Sequence, residues 1–283
     1  MTPQLAIILI ACITAAACAL PGLFLVLRGM ALMSDAISHA TLLGIALMFF
    51  WTQNLSSPFL LLGASLAGLA TVALTELLIK KRHLKKDAAI GLVFPLFFSL
   101  GVILISLYGR SVHLDADMVL LGELALAPFN RLTIYGFNVG PYALWVMSGL
   151  LLINAGAIKL FYKELQLATF DQTYAATIGF APATIHWGLM ALTSITAVGA
   201  FDIVGAIVVV ALMIVPAATA FLCTKDLTTM IQLSLLFGIL ATVTGYELAH
   251  LLDASIAGAI ATMSGLIFFI CIIRYAKNHA NNT

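Results

Sequence analysis

Apolar runs of about twenty residues recur along the whole of this sequence, and that length matches a membrane-spanning helix. Lipid offers no hydrogen bonds, so each crossing segment has to pair its own backbone groups, and a helix does this locally. The runs place spanning helices at about 4–27, 32–51, 58–80, 88–108, 141–162, 183–200, 203–223, 229–250 and 254–274. The fold class is therefore all-α, a polytopic helical membrane protein with nine transmembrane helices. Gly199, Asp202 and Gly205 interrupt the pair 183–200 and 203–223, so eight crossings remain an alternative in which one member is short or re-entrant. Only 9% of the 283 residues are charged and 63% are hydrophobic, which leaves no polar stretch long enough for a second globular domain. Residues 1–283 read as a single transmembrane domain.

Charge placement orients the helices. With the basic run KKRHLKK (80–86) in the cytoplasm, the same side receives Arg28, Lys159, Lys163, Lys225, Arg274 and Lys277. Only Arg110 and Arg131 fall outside, in keeping with the positive-inside bias. The run reads as a loop beside membrane lipid. No basic stripe on a folded face points to nucleic acid. Cys12, Cys18, Cys223 and Cys271 all lie in apolar segments without a CxxC and read as small buried hydrophobes. Residues 4–27 read as a retained helix, since no basic leader precedes them.

Against this background SDAISHA, residues 34–40, stands out. Asp35 and His39 are four residues apart, so on a helix they project from one face. An Asp at the centre of a bilayer costs roughly 2.5–3.5 kcal/mol on insertion scales, and such residues face protein, water or an ion. An oxygen donor beside a nitrogen donor suits a borderline divalent metal. The competing reading is a helix cap with a polar contact between helices. Met30 and Met33 are nearby soft donors, but Met more often fills gaps between helices. His113, Asp115 and Asp117 in VHLDAD, and Glu247, His250 and Asp253 near a predicted external helix end, form weaker candidate metal contacts. Glu76 is expected to pair with Lys80 at i+4. His186, beside Trp187, reads as an interface position.

Two segments lie between spans. Residues 109–140 are predicted external, with Gly and Pro marking turns and a short surface helix. Residues 163–182, KELQLATFDQTYAATIGFAP, are predicted cytoplasmic, with Thr169 and Asp171 as caps of a short helix running toward Gly179 and Pro182 opening the next span. The sequence contains no Walker A motif, no HExxH and no apparent Ser/His/Asp arrangement.

Three stretches together resemble one family, the membrane permease subunits of ATP-binding-cassette importers for zinc, manganese and related divalent metals. They are LVLRGMALMSDAISHATLLGIAL (25–47), FDQTYAATIGF (170–180) and VGAIVVVALMIVPAATAFLCT (204–224). Their order and spacing agree with the family's, so the resemblance covers most of the chain. Two departures are visible. LLDASIAGA (251–259) lacks the proline of the family's usual turn, and Gln172 stands where proline is frequent.

The resemblance implies a permease of a multi-component importer in a bacterial inner membrane. It is not itself an enzyme, and ATP hydrolysis is expected on separate cytosolic ATP-binding subunits. A second permease subunit, the same or related, and an extracytoplasmic solute-binding protein complete the assembly. Mn2+ or Zn2+, with Fe2+ also allowed, is the cargo, and no permanent cofactor is expected. Asp35 and His39 are the implied metal contacts. Phe170, Asp171, Tyr174, Ala175 and Gly179 are implied in coupling to the ATPase, within a segment over 163–182. The alternatives are an ion-coupled secondary metal transporter and an intramembrane metalloprotease, the latter disfavoured by the missing HExxH.

Overall fold

The computed structural model describes residues 2–54, 57, 59–82, 84–108, 124–134 and 137–280. The helices are α1 (Pro3–Leu27), α2 (Leu32–Thr52), α3 (Phe59–Arg82), α4 (Lys86–Tyr108), α5 (Tyr142–Leu160), α6 (Tyr162–Phe170), α7 (Gln172–Thr177), α8 (Pro182–Val204), α9 (Ala206–Cys223), α10 (Leu227–Leu252) and α11 (Ile256–Ala280). Among the described residues, nine of these are long and apolar enough to cross a membrane, leaving out only α6 and α7. The doubtful pair resolves as two full helices. Gly205 alone separates α8 from α9, with φ at 81°, a left-handed value that glycine adopts without strain.

The segment predicted external differs from expectation in its described part. Turns over 124–129 lead into an antiparallel hairpin, β1 (Arg131–Ile134) and β2 (Phe137–Pro141), with Arg131 opposite Pro141. Leu132, Thr133, Ile134, Phe137 and Val139 favour extended backbone over a helix here. Residues 109–123 lie outside the described residues.

Helix α1 is the centre of the bundle. Its most apolar window is 78% buried, whereas that of α11 is only 17% buried and lies at the rim. α1 packs against α5, α8, α9 and α10. Helix α2 packs against α3, α4, α8 and α9, so it lies between the inner helices and the α3–α4 pair. One core joins Ile10, Leu25, Met33, Ile37, Met147, Val208 and Met213, and a second joins Leu20, Leu23, Phe24, Leu165, Leu189 and Met230.

Buried hydroxyls turn back into their own helices. Thr14, Thr71, Thr193, Thr219, Thr242 and Ser264 each donate to a carbonyl four residues earlier, at 2.7 to 2.9 Å. Buried polar bonds between helices also occur. Asn154 Nδ2 of α5 donates to Ala17 O at 3.0 Å and to Thr196 Oγ1 at 2.8 Å, tying α1, α5 and α8 together.

Glycine sets the approach of α2 to α3. A Cβ at Gly44 would overlap the Gly63 carbonyl, which is backbone and cannot rotate away. Gly265 in α11 has open space around the same position. Gly44→Ala is expected to lower stability by about 1–3 kcal/mol through overpacking, while Gly265→Ala stays neutral or gains a few tenths. Thermal unfolding of the two variants in one detergent checks the contrast.

Candidate functional site

The α1–α2 joint places the site. Gly29 adopts φ of 64°, its N–H bonds to Val26 O at 3.0 Å, and the Met30 N–H bonds to Leu25 O at 2.9 Å. This paired closure is a Schellman motif, which ends α1 within one turn and turns the chain straight into α2. Ser34 donates to Ala31 O at 3.0 Å and Ser38 to Ser34 O at 2.9 Å, so these hydroxyls are spent inside the helix.

Asp35 and His39 then share a face, as their spacing requires. His39 Nε2 lies 3.4 Å from Asp35 Oδ1, with the side chains 24% and 40% exposed respectively. The cap position of α2 is Ala31, and it has no side-chain hydrogen bond, so Asp35 does not cap the helix. His39 meets its neighbouring helix through apolar rings. Its imidazole lies 4.9 Å from the Phe94 ring of α4 and 5.5 Å, edge-on, from that of Phe98. His39 Nδ1 is buried and has no hydrogen-bond partner. The pair thus presents a carboxylate oxygen and an imidazole nitrogen at a partly open surface, backed by two aromatic rings.

The other candidates fall differently. Met30 and Met33 are 3% and 0% exposed within the central core, so they serve packing. His113, Asp115 and Asp117 lie outside the described residues. Glu247 and His250 are exposed on α10, and the His250 ring stacks on Tyr246 at 6.5 Å. Among the described residues no three His, Cys, Asp or Glu side chains group closely enough to hold a metal ion.

The segment between α5 and α8 is built as the residues predicted, with one extra helix. Asp171 caps α7, accepting from the Tyr174 N–H at 2.8 Å. Gly179, with φ at 94°, and Phe180 close α7 by bonds to Ala176 O and Ala175 O, a second Schellman motif. Thr169 is not a cap. Its hydroxyl accepts from Arg28 Nε at 3.2 Å. Phe170 at the end of α6, Tyr174 within α7 and Ile178 just after α7 are all exposed apolar or aromatic side chains. Ala175 is fully buried, so it packs the segment against the body.

Sequence reading also missed a polar cluster under the site. Arg28 Nη1 lies 3.3 Å from His186 Nδ1, and His186 Nε2 lies 3.1 Å from Glu76 Oε1. Glu76 also meets Lys80 at 3.4 Å, the pairing expected from i+4 spacing. Burial pushes the Arg28 guanidinium below its ordinary pKa. Desolvation of the charged form is the cause.

The model of the ABC 3 transport family matches residues 4–275. The chain belongs to this family. It is 50% identical over 276 residues to TroD, a zinc transport system membrane protein of Treponema pallidum (strain Nichols), covering 96% of this chain and 74% of that protein. It is 45% identical over 251 residues to MntD, a manganese transport system membrane protein of Bacillus subtilis (strain 168), covering 89% and 85%. A solved structure, PsaBC from Streptococcus pneumoniae in complex with Fab, superposes with a TM-score of 0.78 at 29% identity, over 96% of this chain and 91% of that one. This ABC 3 family chain is thus a multi-pass membrane protein whose relatives are subunits of transport systems.

Because Asp35 caps nothing, an isosteric amide should be tolerated by the fold. Asp35→Asn is expected to change stability by no more than about 0.5 kcal/mol. Thermal unfolding of the purified protein in metal-free buffer measures it; a larger loss would assign the carboxylate a structural role.

Proposed function

We propose that this chain is the permease subunit of an ATP-driven importer of a divalent transition metal, zinc or manganese, and that Asp35 and His39 touch the ion in transit. The carrying observation is a carboxylate–imidazole pair on an apolar helix, half-open and with no capping or interhelical hydrogen bond. A polar pair in an apolar surrounding needs a compensating contact, and a passing cation supplies one. Oxygen and nitrogen donors suit both Zn2+ and Mn2+. Relatives named for each metal support this range.

Two donors are fewer than a closed four-ligand zinc site uses. That deficit fits a transport station, where the ion has to leave as readily as it arrives. A second permease, the same or related, placed across a two-fold axis would bring another Asp and His to the same ion. Separate cytosolic ATP-binding subunits would supply the energy, and an extracytoplasmic binding protein would deliver the metal. The setting is a bacterial inner membrane.

The 162–178 segment is the docking element for the ATPase in this reading. Phe170, Tyr174 and Ile178 offer exposed apolar and aromatic side chains on either side of the α6–α7 break, suited to seating on a soluble partner. Asp171 and Gly179 set the ends of its short helix, and buried Ala175 holds it to the permease.

In the importer reconstituted in proteoliposomes, Asp35→Ala and His39→Ala are each expected to cut Mn2+ or Zn2+ uptake at least tenfold with assembly intact. Wild-type uptake by both variants sinks the proposal. Tyr174→Ala is expected to keep ATP hydrolysis while uptake falls, because truncating an aromatic anchor removes about 2 kcal/mol or more from such a contact. Uptake and phosphate release measured in the same vesicles separate the two effects.

A further inference from the structure

We propose that Arg28 is the positioning residue that carries movement of the 162–178 segment to the helix holding Asp35 and His39. The inference rests on the reading of that segment as the ATPase contact. Arg28 is only 7% exposed, at the C-cap of α1 immediately before the Gly29 turn. Only Arg28 to Ala31 separate α1 from α2, and the Schellman closure leaves that joint little slack. A displacement of Arg28 therefore displaces the first turn of α2, where Asp35 sits.

Its fork reaches in two directions. Nε donates to Thr169 Oγ1 at 3.2 Å, at the end of α6 and two residues before the Asp171 cap. Nη1 lies 3.3 Å from Nδ1 of His186, in the first turns of α8. A guanidinium has donors only, so His186 Nδ1 accepts and the ring proton sits on Nε2. That nitrogen faces Glu76 Oε1 of α3 at 3.1 Å. The imidazole thus stands between Arg28 and Glu76, hydrogen-bonded to the first and in close contact with the second. The Arg28 carbonyl accepts from Lys86 Nζ at 2.7 Å, at the start of α4, the helix whose Phe94 and Phe98 back His39. Five helices, α1, α3, α4, α6 and α8, thus meet through one residue and its contacts.

The linkage lines a cavity of about 650 Å3, together with Gln172 and Thr173 of α7. Open space beside the bonds gives the segment room to shift. A rigid planar fork holds two partners at fixed angles, whereas a lysine ammonium on a flexible stem does not. Arg28 Nη2 and His186 Nε2 are both buried without a hydrogen-bond partner.

The test uses the importer assembled with its ATPase in proteoliposomes, with Mn2+ as the probe. Arg28→Lys keeps the charge and loses the fork. Thr169→Val keeps the shape and removes the acceptor, leaving the α1–α2 joint untouched. Both are expected to lower Mn2+ imported per ATP hydrolysed by about tenfold, the worth of one charge-assisted hydrogen bond. Equilibrium Mn2+ binding and complex yield should remain those of wild type, which a merely structural role would not allow. Tyr174→Ala runs beside them. Uncoupling by Tyr174→Ala with both other variants within twofold of wild type overturns the role of Arg28 and leaves the docking reading standing. Normal coupling in Tyr174→Ala with loss in Arg28→Lys and Thr169→Val overturns the docking face and leaves the Arg28 link. Loss of transport that follows lost Mn2+ binding or lost complex overturns the Arg28 proposal in favour of a folding role.

Discussion

A hydrocarbon solvent accepts no hydrogen bonds, and the arrangement of this chain follows from that constraint. Each long segment closes its backbone as a helix, and buried hydroxyls such as Thr14 and Thr242 fold onto their own helical carbonyls. Polar bonds between helices are then informative where they occur. Asn154 ties α1, α5 and α8 deep in the bundle, while the Arg28–His186–Glu76 chain gathers helix ends at the face predicted cytoplasmic. The first fixes a core, and the second lies where chain segments change direction and can move.

Glycine adds the second structural control. In a membrane bundle, van der Waals contact replaces much of the hydrophobic drive between helices, so close backbone approach matters. Gly22 against Met213, Gly44 against Gly63 and Gly245 against Ile260 are approaches that a Cβ would block. Elsewhere glycine is used for its backbone. Gly29 and Gly179 close helices through the same pair of bonds, one just before the helix of Asp35 and His39 and one at the end of the proposed docking segment. The two moving parts of the proposed mechanism therefore end in the same kind of stiff joint.

Spans were legible because they depend on composition over twenty residues, and Asp35 with His39 because the helical period brings i and i+4 together. The Asp171 cap and the Gly179 stop were also local. What escaped reading was set by distance along the chain. Arg28 and His186 are 158 residues apart, and nothing in either neighbourhood names the other. The hairpin at 131–141 escaped because its strands are only four and five residues long, and the glycines and prolines around them read as turns. Ala175 looked like a contact residue by its place in a motif, yet it is buried, and Ile178 takes the outer position beside Phe170 and Tyr174. Burial decided that difference, and periodicity over so short a helix leaves the inner and outer faces ambiguous.

The placement of His39 gives the transport reading its physical shape. One nitrogen faces Asp35, while the other is buried without a partner. Phe94 and Phe98 hold the ring on its other side without competing for its lone pair. A resident metal site would complete its ligand shell and lock each ligand with outer hydrogen bonds. Here Asp35 and His39 offer two donors against an apolar backing, so in the proposed mechanism the ion's hold would depend on how α2 stands relative to a partner across the path. Such a site changes affinity when its helix moves. In the proposed mechanism, the four-residue joint would couple α2 to the segment predicted cytoplasmic and turn its movement into capture or release.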